Sequence, residues 1–241
     1  MKINNISKSF GGIKALESCS MEISSKKITA IIGPNGSGKT TLFNIISSLI
    51  KPDEGEIIFN EKNIISMKDF EVAKFGISRT FQEVRLFKNL TIQDHLEIAL
   101  AENSEYIFKS ITHKEKNKDD KIQEILDLVG LDKPLGSYVS DLSYGQRKLL
   151  DLAVSLAKPH SILLLDEPVA GVNPILRNKI KEILRTLRKK GETIILIEHD
   201  MNFVMDIANY IYVLDYGKVI AKGLPKNIQK DKLVLEAYLG K

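Results

Sequence analysis

An α/β fold is predicted here, built on a mixed, mostly parallel sheet, with an antiparallel β part at the start of the chain and a helical subdomain inserted between core elements. Three observations predict it. Apolar strand-like runs alternate with helical patterns along most of the chain. One such run, Ile28-Thr29-Ala30-Ile31-Ile32, leads into Gly33-Pro34-Asn35-Gly36-Ser37-Gly38-Lys39-Thr40, a complete G-x-x-x-x-G-K-[ST] loop, and then into the helical pattern beginning at Thr41. From about Glu83 to Gly145 the pattern becomes helical.

Taken in order, residues 2 to 32 read as three short strands, Lys2–Ser9, Cys19–Ile23 and Ile28–Ile32, with Gly11-Gly12 as a turn. No helix separates them, so they are expected to be partly antiparallel. Lys51-Pro52-Asp53-Glu54 signals a turn before the strand Gly55–Phe59. Thr91 with Asp94 makes a capping-box start for a helix over Ile92–Leu100, and Ile122, Ile125, Leu126 and Val129 share one helical face. Ile162–Leu165 is a strand running into Asp166-Glu167. Asn173 caps the next helix, with Pro174 at its first position, a stripe of Leu176, Ile180, Ile183, Leu184 and Leu187, and Gly191 as its stop. Thr193–Ile197 is an apolar strand, a helix spans roughly Asp200 to Ala208, and Ile211–Leu214 is expected to be the last core strand. One or two short helices follow, at about 225–239. The organisation is one domain, with a core over 1–82 and 146–241 and the helical subdomain over about 83–145; no repeat or low-complexity linker interrupts it.

Composition narrows the function classes. The 241 residues, 43% hydrophobic, suffice for a substantial core. A net charge of +4 arises from 35 basic and 31 acidic residues dispersed through the chain, which points away from nucleic acid. The densest charged run, His113 to Lys121, alternates in sign and suits a solvated helix start or an exposed loop. One cysteine, Cys19, allows no internal disulfide, and the four histidines have no zinc-type spacing. The start of the chain lacks a signal-peptide core, and no run approaches the ~20 apolar residues that span a bilayer. A soluble chain is expected, with any membrane role depending on a partner.

The glycines of Gly33–Thr40 allow successive backbone N–H groups to close around phosphate oxygens, while the next helix presents its positive end to the same charge. Lys39 is placed for the β and γ oxygens and Thr40 for Mg²⁺. The strand Ile162–Leu165 delivers Asp166 and Glu167 to the edge where ligands of parallel sheets gather. Asp166 suits the metal, and Glu167 suits orienting or deprotonating an attacking water. Ser143-Tyr144-Gly145-Gln146 opens a second helix N-terminus with exposed donors, again the physics of an anion site.

With the phosphate loop, Leu142-Ser143-Tyr144-Gly145-Gln146 and Ile162–Glu167 in this order, the chain resembles the ATP-binding-cassette (ABC) ATPases over residues 2 to 239. The resemblance implies an ABC-type P-loop NTPase core whose helical subdomain carries the signature motif. It implies ATP bound by Gly33, Pro34, Asn35, Gly36, Ser37, Gly38, Lys39, Thr40 and Thr41, with Mg²⁺ at Thr40, Gln82 and Asp166. Ser143, Gly145 and Gln146 would close over the γ-phosphate of ATP held by a second cassette, identical or merely related, in a head-to-tail sandwich. Tyr144 departs from the commonest form of the motif, which has glycine there. Catalysis would fall to Glu167, to His199 as the switch histidine, and to Gln82 at the metal or the lytic water. Phe10 matches the aromatic that stacks on adenine, though a core or turn aromatic reads alike. Asn173 matches the loop after the catalytic carboxylate, where aspartate is commoner, and its capping role before Pro174 explains it almost as well.

Arg79–Phe87, Leu142–Gln146, Ala170–Pro174 and Glu236–Gly240 look like the high-affinity ATP-binding subunits of branched-chain amino-acid importers. Urea and short-chain amide importers share these runs, as does the lipopolysaccharide-export ATPase. This implies membrane permease subunits as direct partners, a solute-binding protein as an indirect one, and a peripheral position on the cytoplasmic face of the inner membrane. Leu86 and Phe87 fit either a docking cleft for a permease helix or the core of the helical subdomain. A soluble cassette clamp would use the same dimer; a small-molecule kinase would have no use for Leu142–Gln146.

Overall fold

The computed structural model describes residues 1–101 and 115–239. His113 and Lys114 of the charged run, and Gly240 of the closing motif, lie outside them.

Two sheets share the core. The first is antiparallel: β1 (Lys2–Phe10) lies between β2 (Ile13–Glu22) and β4 (Glu54–Phe59), and β5 (Lys62–Asn63) follows β4. The second has six strands in the order β10-β9-β3-β8-β7-β6, namely Lys218–Gly223, Tyr210–Asp215, Ile28–Ile32, Ile194–Ile197, Ile162–Asp166 and Ile77–Arg79. All its pairings are parallel except β9 with β10. Helices occupy the intervals: α1 (Lys39–Ile46), α2 (Asp69–Lys74), α3 (Ile92–Leu100), α4 (Glu115–Val129), α5 (Tyr144–Ala157), α6 (Pro174–Lys189), α7 (Met201–Ile207), α8 (Pro225–Ile228) and α9 (Lys232–Leu239).

The central strands are buried on both faces, as their unbroken apolar runs require. Successive residues alternate between two cores. Ile28, Ala30, Leu163, Leu165, Ile194 and Leu196 pack with α3, α4, α5 and α6. Ile31, Ile162, Leu164, Ile195 and Ile197 pack with α1 and the antiparallel sheet. The phosphate-loop strand therefore has its neighbours fixed from both sides.

Two sequence expectations need correction. The second strand begins at Ile13 rather than Cys19, because Gly11 and Gly12, both at positive φ, close a tight hairpin that pairs Phe10 with Ile13. Ile211–Leu214 does not end the core. Tyr216 and Gly217, at φ 43° and 76°, turn the chain into β10, an edge strand bounded by lysine and glycine whose polar ends hid it. The short elements α2, β5 and β6, of six, two and three residues, carry no periodic signal in the sequence. The capping box at Thr91 is present: its hydroxyl accepts the Asp94 N–H at 3.1 Å, and the Asp94 carboxylate accepts the Thr91 N–H at 2.8 Å. Four of the five stripe residues of α6 are buried, with Leu176 half-buried at its start.

Replacing Thr91 by alanine removes one half of that box. The Thr91→Ala chain should lose about 1 kcal/mol in urea unfolding with an unchanged m-value.

Candidate active site

The phosphate loop leaves β3 and enters α1 through Gly38, which caps the helix at φ 102°. Glycine is required here by space as well as by conformation. A Cβ on Gly38 would stand 2.4 Å from the Ala15 carbonyl oxygen, and one on Gly33 2.0 Å from that of Leu214. Lys39 is folded back over the loop. Its ammonium donates to the carbonyls of Gly33 (2.9 Å) and Pro34 (2.8 Å) and to Ser37 Oγ (3.3 Å). Burial lowers its pKa, and the charges of Glu167 and Asp166 pull it back up. Thr40 is exposed at the first turn of α1. Phe10 is not a core residue: it is exposed at the end of β1, with the Lys8 ammonium 5.5 Å from its ring centroid.

The two carboxylates at the end of β7 meet opposite environments. Asp166 is 3% exposed, and its Oδ2 takes a 3.0 Å ion pair from Arg79. The same guanidinium donates to Asn44 Oδ1 (2.9 Å) and Ser47 Oγ (2.7 Å) and lies 4.9 Å from the Phe81 ring centroid. Burial pushes the Asp166 carboxyl above its ordinary range, with Arg79 opposing. Its Oδ1 is buried without a hydrogen-bond partner among the described residues. A buried carboxylate oxygen left without a donor fits a hydrated cation that takes its other ligands from phosphate and water.

Glu167, the next residue, sits at φ 50°, a left-handed backbone that costs a non-glycine residue on the order of 1 kcal/mol and persists only where its surroundings over-determine it. They do so. Its N–H donates to the Ile197 carbonyl at 3.0 Å, and its own carbonyl accepts from Ala170 N–H and from the Lys148 ammonium at 3.2 Å each. The carboxylate is thereby turned toward two other loops. Gln82 Nε2 donates to Oε2 at 3.0 Å, and His199 Nε2–H donates to Oε1 at 2.8 Å. Glu167, Gln82 and His199, the three residues expected to serve catalysis, are thus joined at one carboxylate.

At the second glycine element, Ser143 caps α5 in a full capping box with Gln146. Ser143 Oγ accepts the Gln146 N–H, and Gln146 Oε1 accepts the Ser143 N–H at 2.9 Å. Leu176 of α6 packs over Gly145, its Cδ2 2.5 Å from where a Cβ would stand. Tyr144 turns onto its own chain. Its hydroxyl donates to the Ala170 carbonyl at 3.4 Å, and its ring closes against Gly171. Asn173 caps α6 through the Leu176 N–H at 2.9 Å.

Four participants escaped the sequence reading. Arg79 lay inside a quoted run without a role. Glu198, 2% exposed, accepts the N–H groups of Val169 (2.9 Å) and His199 (3.1 Å), joining the loops after β7 and β8. Burial raises its pKa, and the backbone donors oppose. Lys148 falls at i, i+4 and i+7 with Leu152 and Ser155 on the buried face of α5, a spacing that flags it. Tyr238 of α9 has its hydroxyl against the backbone of Gly33, a contact across the whole sequence that no local pattern announces.

A family model described as "ABC transporter" matches residues 16–170. A probable branched-chain amino acid transport ATP-binding protein, LivG, of Archaeoglobus fulgidus is 37% identical, covering 100% of this chain and 95% of the relative. The high-affinity branched-chain amino acid transport ATP-binding protein LivG of Escherichia coli K12 is 34% identical, covering 100% and 97%. Among solved structures, a nucleotide-free ATP-binding cassette from an ABC transporter superposes with a TM-score of 0.86 at 34% identity, covering 100% of this chain and 98% of the other. The ADP conformation of the cassette MJ1267 gives the same figures, 0.86 at 34%, covering 100% and 98%.

Because Arg79 and Asp166 are both buried, removing the cation strands a carboxylate: Arg79→Met should cost about 3–5 kcal/mol in urea unfolding, most of it restored by adding Asp166→Asn. A second outcome concerns pH. Burial pushes the Asp151 carboxyl of α5 up to about 7, with Lys148 opposing. The folded chain then holds this proton more tightly than the unfolded one, so stability falls as pH rises from about 4 through about 7. Asp151→Asn should raise Tm at pH 8 and leave it unchanged at pH 4.

Proposed function

From a chain that belongs to the ABC transporter family, we infer an ATP-binding subunit that hydrolyses ATP to drive uptake of branched-chain amino acids through membrane permease subunits. The observation that carries the catalytic half of this reading is the Glu167 carboxylate held between Gln82 and His199 beside the phosphate loop. Similarity along the full length of curated branched-chain amino-acid transport subunits supports the cargo.

In this reading Gly33 to Thr41 bind the triphosphate through backbone N–H groups and the N-terminus of α1, and Lys39 exchanges its loop carbonyls for the β and γ oxygens. Phe10 stacks on the adenine. Thr40, Asp166 and Gln82 hold Mg²⁺, which when bound neutralises charge on the phosphate oxygens. Glu167 orients or deprotonates the attacking water, and His199 hydrogen-bonds the γ-phosphate. Ser143, Gly145 and Gln146 serve the nucleotide of a second cassette, identical or related, so each site is completed across a head-to-tail dimer.

Among the described residues no helix is long and apolar enough to cross a membrane. The chain would sit on the cytoplasmic face of the inner membrane, docked to permease subunits that receive solute from a binding protein. Leu86 and Phe87 divide the two roles they suggested. Leu86 packs on the core, whereas Phe87 is 67% exposed. His95 pins it, with Nε2 accepting the Phe87 N–H at 3.0 Å and Nδ1–H donating to the Thr91 carbonyl at 2.8 Å. A fixed, exposed aromatic beside the Gln82 loop suits a permease helix.

Glu167→Gln should bind ATP as tightly as the wild type while turnover drops ~10²–10⁴-fold, the scale of losing a general base. Near-normal hydrolysis by this variant, followed by phosphate release, would remove Glu167 from the mechanism.

A further inference from the structure

The helix that begins at Ser143 reaches the catalytic loops through one side chain. Lys148 lies in the second turn of α5, 6% exposed, and its ammonium donates to the main-chain oxygens of Gln82 (3.0 Å) and Glu167 (3.2 Å). These oxygens belong to different loops, one after β6 and one after β7. The same two residues also meet through their side chains, Gln82 Nε2 on Glu167 Oε2 at 3.0 Å. Lysine and amide together close a ring that holds both residues from both ends, main chain and side chain. Within that ring Glu167 keeps its left-handed φ of 50°.

Two further features make the site specific to a cation. Both groups that Lys148 meets are carbonyl oxygens, which accept and cannot donate, so only a donor-rich side chain satisfies them. Burial disfavours the ammonium, and the carboxylates of Asp151, Glu198, Glu167 and Asp166 restore it. The Tyr144 ring stands 6.0 Å from the same ammonium, so the departure residue of the glycine element borders the lysine on one side and the Ala170 carbonyl on the other.

We propose that Lys148 is a positioning residue for hydrolysis: by holding the Gln82 and Glu167 carbonyls together it sets the side-chain pair that faces the attacking water and ties that pair to the helix bearing Ser143 to Gln146. This rests on the reading of the chain as an ATPase. It adds a route inside one chain by which movement of α5, whose N-terminus would meet the other cassette's nucleotide, reaches both loops at once.

The test uses the purified full chain as wild type, Lys148→Met and Lys148→Arg. Three quantities are read: affinity for a fluorescent ATP analogue, kcat and KM for Mg-ATP, and amide hydrogen exchange in peptides covering 79–85 and 166–171. Lys148→Met should lower kcat ~10–100-fold, the scale of a displaced catalytic group, with affinity unchanged. Exchange should quicken in both peptides and stay constant in the phosphate loop. Lys148→Arg, which keeps the charge and the donors, should recover most of the kcat. If the methionine variant does not fold, Lys148→Gln takes its place: its amide keeps donors on a shorter stem, so kcat should fall below that of the arginine variant, with exchange quickened in the same two peptides. Wild-type kcat in the apolar variant, or a loss of kcat that arginine does not recover with exchange altered only inside α5, would overturn the positioning role. A wild-type chain that binds no ATP would instead bring down the ATPase reading beneath it.

Discussion

The carboxylate of Glu167 is gripped by an amide and an imidazole, Gln82 at 3.0 Å and His199 at 2.8 Å, and much of the fold exists to make that contact. Each participant comes from a different loop at the same edge of one sheet. β6, β7 and β8 run parallel and adjacent, so their ends present Gln82, Glu167 and His199 together although the residues are far apart in the chain. Parallel order is the constraint: reversing one strand would carry its loop to the other end of the sheet.

The last residue of β7 and the one after it are given unlike tasks by unlike surroundings. Asp166 points inward, pairs with Arg79 and keeps one oxygen free; Glu167 turns outward on a left-handed backbone. A normal extended φ would send the two side chains to opposite faces of the sheet, as the strand's period dictates. The positive φ instead turns Glu167 toward the loops at the edge. Its strain is held by Ile197, Ala170 and Lys148, and Glu198 fastens the flanking loops to each other.

Much of this was legible in the sequence because it is local. The glycine spacing of Gly33–Thr40, the caps at Thr91, Ser143 and Asn173, and the apolar runs of the central strands are set by residues a few positions apart, and backbone sterics or capping chemistry decides them. Contacts between distant segments were not legible. Arg79 pairs with Asp166 across 87 positions and Tyr238 meets Gly33 from the last helix. Edge elements were hidden for different reasons: β10 buries little, so no strong apolar period marks it, while β6 is buried but only three residues long, Ile77-Ser78-Arg79, with a serine and an arginine in place of an apolar run. Tyr144 is intermediate, since its departure from glycine was visible but its seat on Ala170 and Gly171 required the fold.

An importer subunit must work as part of a membrane assembly. Tagged chain recovered in mild detergent from its native membranes, with copurifying proteins identified by mass spectrometry, should bring two multispanning permease subunits and a second cassette in stoichiometric amounts. Recovery with soluble partners alone would contradict the importer reading and place the same ATP chemistry in a clamp.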